Sequence, residues 1–345
     1  MTEQKIFSSF NDEESEKELE SSIVSKEADS IVDHQIYRTV KLNPIVIIKF
    51  IDGNTVRHLF NFLMSTVKVA PLLFRKNGIE IIRGNDGISV VTQVKFNPLQ
   101  LLEYTFDPSR ANQAVYDEKK NLIENKCLHA MCFDLKEFQR IVKNVSKRDG
   151  IELAVYEGSP NIIVRQFGGN KNNEVTTSIR STEYKSADVE INDNSFSQSL
   201  DSPNCKVPLD AFCAVFNGLA TVKCDSATIN CYPKGVAIGS QTANQVVSRM
   251  GEWGICDTQQ KMINTITGPE LIIRRKSAKT FFSTSIPNTV IVPLSKIYNL
   301  CPKGIVQIYS ECDNMVRFLT CVGSYATLMI YIIEHPEPNT ANKSA

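Results

Sequence analysis

FDLKEFQRIVKNVSKRDG, residues 133–150, decides how the chain is read. Wound at about 100° per residue, it puts Leu135, Phe138, Ile141, Val142 and Val145 on one stripe. Lys136, Arg140, Lys143 and Lys147 line up on the opposite side. Asp134 suits the N-cap, where a short carboxylate accepts from free amides, and Gly150 suits a left-handed helix end. The spacing predicts a helix that sits on a core through one face and shows a row of cations on the other. β-type runs flank it, Leu128 to Phe133 before and Ile151 to Tyr156 after. A single helix of this kind is as readily an ordinary solvated face as a binding face. What favours function is repetition.

The same layout recurs four times. Pro44 to Ile51 reads as a strand, and Gly53 to Lys68 as a helix with Val56, Leu59, Phe60, Leu63 and Val67 inward and Arg57, Asn61, Ser65 and Lys68 outward. Ala70–Phe74, Ile79–Arg83 and Ile88–Phe96 follow as strands parted by Asn77-Gly78 and Asp86-Gly87, both strong hairpin signals. Leu99 to Phe106 closes this unit. After a polar loop over 107–126, the second unit contains the basic helix and strands at Ile151–Tyr156, Asn161–Phe167 and Val175–Ser181. The third begins at Cys205–Pro208, with a helix marked by Leu209, Phe212, Val215, Phe216 and Leu219, and strands at Ala227–Tyr232, Gly235–Ser240 and Gln245–Met250. Residues 251–269 read as an irregular insertion holding the only tryptophan, Trp253, before strands at Leu271–Arg275 and Thr280–Ser285. The fourth reads as a strand at Thr289–Val292, a helix over Pro293–Cys301 with proline in its first turn, and strands at Ile305–Ser310, Met315–Cys321 and Tyr325–Ile333.

Four strand–helix–strand–strand–strand copies, grouped two and two, are a repeat architecture of the α+β class. The expected layout is a disordered acidic tail over 1–42, one domain over 43–183, a polar linker over 184–204, a second domain over 205–335 and a frayed end over 336–345. Two such domains leave sheet edges that must be covered or paired, and head-to-tail edge pairing closes a ring when the rotation permits.

Formal net charge is zero, but it is unevenly spread. Residues 1–43 carry ten acids and five bases, a balance of −5 that leaves +5 on the other 302 residues. That mild excess argues against a tight sequence-reading DNA binder while allowing weak phosphate contact. The ten cysteines form no CxxC pair or zinc spacing. Cys132, Cys213, Cys231, Cys301, Cys312 and Cys321 sit in or beside apolar runs, as buried free thiols do. An acidic, polar N-terminus is no signal peptide, and the longest apolar run, Ala326 to Ile333, is far short of a membrane span. The expectation is a soluble protein of a reducing compartment. Four scattered histidines, of which His129 on a strand reads as structural, and the lack of a phosphate loop, nucleophile elbow or metal-ligand cluster speak against an enzyme. No catalytic residue, metal or cofactor is expected.

Taken together, the order of these elements and the strings SKRDGIELAVYEGSPNIIVRQF, CKVPLDAFCAVFNGLATVKCDSATINCYPKGVAIGSQ and NTVIVPLSKIYNLCPKGIVQIYS resemble the proliferating cell nuclear antigen family of DNA sliding clamps. The resemblance spans residues 45 to 334. It implies a DNA-clamp fold, with sheets outside and helices lining a channel, and a homotrimeric ring that encircles double-stranded DNA as a polymerase processivity factor. By position it puts DNA-contacting cations at Arg140 and Lys143, with Lys136 and Lys147 beside them, joined by Arg57, Lys68 and Lys296. Lys206 and Lys223 flank the third helix, which departs from the pattern by holding no Lys or Arg. The resemblance also implies a partner-peptide pocket at Ile88, Leu200, Pro302 and Tyr331. Its occupants would be short peptides of DNA polymerase and other replication or repair proteins, with a clamp loader as a further partner. A nucleus or a viral replication compartment is the implied location, the acidic tail and insertions suiting a divergent, viral relative. Two alternatives stay open: a checkpoint-type hetero-trimeric clamp subunit, and a clamp-like viral late transcription factor that forms no closed ring.

Overall fold

The structure is a computed structural model and describes residues 43–84, 90–168, 175–182, 184, 202–222, 224, 226–232, 234–241, 248–255, 258–265, 268–275, 282–311 and 315–333. The expected tails, most of the linker and the Asp86-Gly87 turn lie outside these residues.

The first half runs β1 (Pro44–Phe50), α1 (Gly53–Thr66), β2 (Val69–Arg75), β3 (Gly78–Gly84), β4 (Val90–Phe96), β5 (Glu103–Phe106), β6 (His129–Asp134), α2 (Leu135–Val142), β7 (Gly150–Tyr156), β8 (Asn161–Phe167) and β9 (Val175–Thr182). The second runs β10 (Cys205–Pro208), α3 (Leu209–Thr221), β11 (Ser226–Tyr232), β12 (Lys234–Gln241), β13 (Ser248–Ile255), β14 (Thr258–Thr265), β15 (Gly268–Arg275), β16 (Phe282–Pro287), α4 (Asn288–Leu294), β17 (Ile305–Glu311), β18 (Met315–Val322) and β19 (Ala326–Ile333). All four strand–helix–strand–strand–strand units are therefore present.

Strand order shows that the halves share one topology. In the first, β1-β7-β8-β9 and β6-β2-β3-β4 are antiparallel neighbours; in the second, the matching sets are β10-β17-β18-β19 and β16-β11-β12-β13. The hairpin β14–β15 is a separate two-stranded ribbon. Among the described residues one strand seam joins the halves: β19 pairs antiparallel with β4, from Ala326 opposite Phe96 to Ile332 opposite Val90.

The main core lies between the strands and the helices. Val56, Leu59, Phe60 and Leu63 of α1, Phe138 of α2 and Phe212 and Phe216 of α3 are all at most 1 % exposed. Each such side chain contributes about 1.5–3 kcal/mol relative to exposure. Phe60 meets Phe138 with ring centroids 4.2 Å apart, and Phe212 meets Phe318 edge-on at 5.2 Å. A smaller cluster of Leu73, Ile82, Val91, Ala130, Met315, Met329 and Tyr331 forms on the other side of the sheet. Leu73 alternates with Leu72 and Phe74 of the main core, so the two clusters occupy opposite faces.

Several expectations are corrected. The basic helix ends at Val142, not near Gly150, which instead opens β7. Ser146 to Asp149 forms a turn: the Asp149 carboxylate accepts from the Ser146 amide at 2.8 Å, and Ser146 Oγ accepts from the Arg148 amide at 3.3 Å. These short polar side chains offer the backbone a local alternative to the helix. Thr289–Val292, read as a strand from its β-branched run, belongs to α4, because Val290, Ile291 and Leu294 bury together at helical spacing. Pro293 sits inside this short helix rather than in its first turn, and Ile297–Leu300 is a 3-10 turn. Residues 251–269 are not irregular; β13, β14 and the start of β15 run through them. Cys321 is exposed and Cys301 half-buried, whereas Cys132, Cys213 and Cys231 are buried thiols outside any disulfide, and Cys312 lies outside the described residues.

Candidate nucleic-acid interface

Short-range capping fixes α2. Asp134 Oδ1 accepts from the Lys136 amide at 2.7 Å, while Leu135, Phe138 and Val142 anchor the buried face. Lys136 and Arg140 are consequently exposed, and Lys143, in helical conformation at the C-cap, continues their side. Lys147 is exposed as well, but on the Ser146–Asp149 turn rather than on the helix.

Two backbone and side-chain bonds set α1 antiparallel to α2. At one end the Leu135 amide donates to the Lys68 carbonyl at 3.2 Å. At the other, Arg57 Nη1 donates to the Lys143 carbonyl at 3.2 Å, and Arg57 Nη2 donates to Asn54 Oδ1. The turn carrying Lys147 is tied to the same end, since the Gly53 amide donates to the Asp149 carbonyl at 2.9 Å. Lys68 thus neighbours the start of α2 near Lys136, Arg140 lies midway, and Arg57, Lys143 and Lys147 gather at the far end. The span from Lys136 to Lys143 is roughly 10 Å at 1.5 Å per residue.

Several cations elsewhere on the chain are paired with carboxylates. Lys49 meets Glu103 at 2.6 Å and Glu152 at 3.5 Å; Arg165 meets Glu152 at 2.9 Å; Lys95 meets Glu80 at 3.8 Å; Arg110 meets Asp107 at 3.2 Å; Lys76 pairs with Glu124. Among the described residues no carboxylate lies within 4.0 Å of the charged groups of Arg57, Lys68, Lys136, Arg140, Lys143 or Lys147. Their charge is uncompensated at contact range.

Sequence reasoning missed His58, one residue beyond Arg57 on the solvent stripe of α1. Burial first, then the Arg57 and Lys147 charges, lower its pKa, and Asp52 opposes them. Helical spacing alone places His58 near Asn61 and Ser65, but only the folded turn brings Lys147 to it.

The second half is poorer in cations. On α3 the exposed residues are Asp210, Ala214, Asn217 and Thr221. Lys206 is exposed on β10 and Lys296 just after α4, so neither belongs to a row, and Lys223 lies outside the described residues.

Of the expected peptide-pocket residues, only Pro302 and Tyr331 are among the described residues. Ile88 and Leu200 lie outside the described residues. Tyr331 is fully buried in the smaller apolar cluster, its hydroxyl donating to Gln93 Oε1 at 3.0 Å. Pro302 is exposed and precedes β17, at the opposite end of that strand from Tyr309, which shares a cross-strand row with Arg317 and Tyr331. From Tyr309 back to Ile305, where β17 begins, is four residues or about 13 Å, and Pro302 lies three residues further along the chain. Tyr184, the first residue of the expected linker, packs against the Tyr331 cluster. Nearby, the Arg317 guanidinium stacks over the Tyr309 ring at 4.5 Å.

Chemistry is sparse elsewhere. Among the described residues no three His, Cys, Asp or Glu side chains gather to hold a metal ion. His129 is buried, its Nδ1 accepting from the Asn112 amide at 3.3 Å, and burial pushes its pKa down to about 4. No helix of the described residues is long and apolar enough to cross a membrane.

No described protein family and no curated protein matches the chain. Solved structures do. The PCNA2–PCNA3 complex of Sulfolobus tokodaii is similar with a TM-score of 0.58 at 16 % identity, over 83 % of this chain and 98 % of that one. Proliferating cellular nuclear antigen of Entamoeba histolytica is similar with a TM-score of 0.60 at 11 % identity, over 85 % of this chain and 100 % of that one. At such identities what is shared is the three-dimensional arrangement, and the chain has the fold of the proliferating cell nuclear antigens.

Proposed function

We propose that the protein is a DNA sliding clamp: a homotrimeric ring whose helices line a channel around double-stranded DNA and whose outer surface tethers replication and repair enzymes. The observation that carries this reading is the β19–β4 seam between two halves of equal topology. By that equivalence β9 corresponds to β19 and β13 to β4. Among the described residues β13 pairs only with β12, and Val175–Arg180 of β9 pairs only with β8. Unpaired edges of this kind invite a strand from another chain. The same contact made head to tail between copies builds a ring when the rotation closes. Matching core-facing residues, Ile179 to Ile332 and Trp253 to Phe96, transfers the seam register as Val175 opposite Gly251 and Thr177 opposite Arg249.

Arg57, Lys68, Lys136, Arg140, Lys143 and Lys147 are the proposed DNA-facing cations, with Lys206 and Lys296 as isolated additions. Charge held on short, well-anchored helices attracts phosphates of any sequence, so a ring slides rather than reads. Enclosure, not affinity, retains the duplex, and no chemical step is needed. A polymerase docked through a short peptide then stays near its template at high effective concentration. The apolar cluster containing Tyr331, beside the inter-domain segment, is the proposed seat of that peptide.

Native mass measurement tests the ring. About three times 38.6 kDa is expected. A chain that stays monomeric at micromolar concentration overturns the homotrimer. A monomer that assembles only with a related chain supports the hetero-trimeric alternative, an arrangement in keeping with the two-protein complex of the Sulfolobus structure.

A further inference from the structure

The end of the helix pair where α1 begins and α2 stops gathers the cations Arg57, Lys143 and Lys147, and the two acids there, Asp52 and Asp149, are both bonded to backbone amides. Arg57 is held there by its bonds to the Lys143 carbonyl and Asn54, so its guanidinium is positioned before any ligand arrives. Lys143 and Lys147 flank it, the second on a turn fixed by the Ser146–Asp149 bonds and by the Gly53 amide on Asp149. His58, half-buried, stands within electrostatic reach of both Arg57 and Lys147. The acid that faces it, Asp52, is committed to capping α1: its carboxylate accepts from the Thr55 amide at 3.1 Å and from Thr55 Oγ1 at 2.6 Å. Among the described residues Arg57, Lys147 and Asp52 are the charges that act on His58.

We infer that Arg57, His58, Lys143 and Lys147 form one site for a backbone phosphate of duplex nucleic acid, with His58 its protonatable contact, so that binding takes up a proton. The inference rests on the clamp reading of this face and adds to it a proton-linked contact. In the free protein, burial and two neighbouring cations favour the neutral imidazole. A phosphate brought between these groups reverses the local field and offers the protonated ring an acceptor. Affinity then rises as pH falls through the histidine range, by up to about tenfold per pH unit for one proton. The arginine and lysines stay charged throughout and supply the part of binding that does not depend on pH.

The test is binding of a fluorescein-labelled duplex in low salt, followed by anisotropy between about pH 8 and about pH 6. Four proteins are compared: wild type, His58→Gln, His58→Arg and the quadruple Lys136/Arg140/Lys143/Lys147 alanine variant. Wild type is expected to tighten as pH falls. His58→Gln is expected to stay weak and flat, and His58→Arg to stay tight and flat. Equal pH dependence in wild type and both His58 variants overturns the inference while leaving the clamp reading intact. Absence of duplex binding by wild type, or undiminished binding by the quadruple variant, overturns the reading of the face as a DNA site and the inference with it.

Discussion

Replacing Lys136, Arg140, Lys143 and Lys147 together by alanine separates a DNA-facing row from a merely solvated one. All four side chains are exposed, and among the described residues none has a carboxylate at contact distance. The fold therefore loses little: each exposed substitution is expected within about 0.5 kcal/mol, and alanine is itself the best helix former. Binding is a different matter. Each cation that neutralises a phosphate contributes about 0.9 to the slope of log affinity against log salt, so four lost contacts lower that slope by up to about 3.6. The assay is a salt series on a labelled duplex, with polymerase stimulation on a primed circle as the functional readout and native mass as the control for assembly. A variant that keeps its mass but loses most of the slope and the stimulation fits the clamp reading. An unchanged slope with full stimulation refutes it, since cations facing away from DNA would behave in that way.

The other predictions concern packing, assembly and pH. Phe138→Ala removes a ring lodged against Phe60 at 4.2 Å and Phe133 at 5.4 Å, and should cost about 3–5 kcal/mol in urea unfolding; a loss below about 1 kcal/mol would mean that α2 is not anchored as described. Val175→Asp places a charge where the transferred register buries a valine between chains. Because Val175 is 52 % exposed in the single chain, native mass should fall to the monomer while unfolding is nearly unchanged, and persistence of the assembled mass counts against the β9–β13 contact. For His129 the folded pKa lies near 4, below the ordinary value of 6.5, so the unfolded chain takes up the proton first as pH falls. Stability is present above pH 6.5 and is lost as pH falls toward 4, by at most about 3 kcal/mol. His129→Asn should reduce the drop between those values, and an identical pH profile would show that this histidine does not govern acid sensitivity.

Much of this fold is legible in the chain because its signals are local. Ile/Val-rich runs such as Pro44–Phe50 and the Asn77-Gly78 turn need only their neighbours, and α1 follows from apolar residues at helical spacing. The end of α2 is not legible in that way. Lys143 to Asp149 keeps helical spacing, yet Ser146 and Asp149 bond the backbone locally and the turn docks on Gly53, about a hundred residues earlier. Similarly, Thr289–Val292 has the β-branched composition of a strand, and burial against the main core makes it helix.

The sequence by itself determined the four strand–helix–strand–strand–strand units, the apolar stripes that bury and the identity of most of the cations, because periodicity and charge are written residue by residue. Tertiary structure alone decided that β19 seals against β4, that Arg57, His58 and Lys147 share one end of a helix pair, and that Tyr331 is buried while Pro302 lies apart from it. Those are contacts between residues far apart in the chain, such as the Tyr331 hydroxyl on Gln93, 238 positions away. Such pairings depend on which edges and faces remain available once local elements have formed, and no window of sequence contains that information.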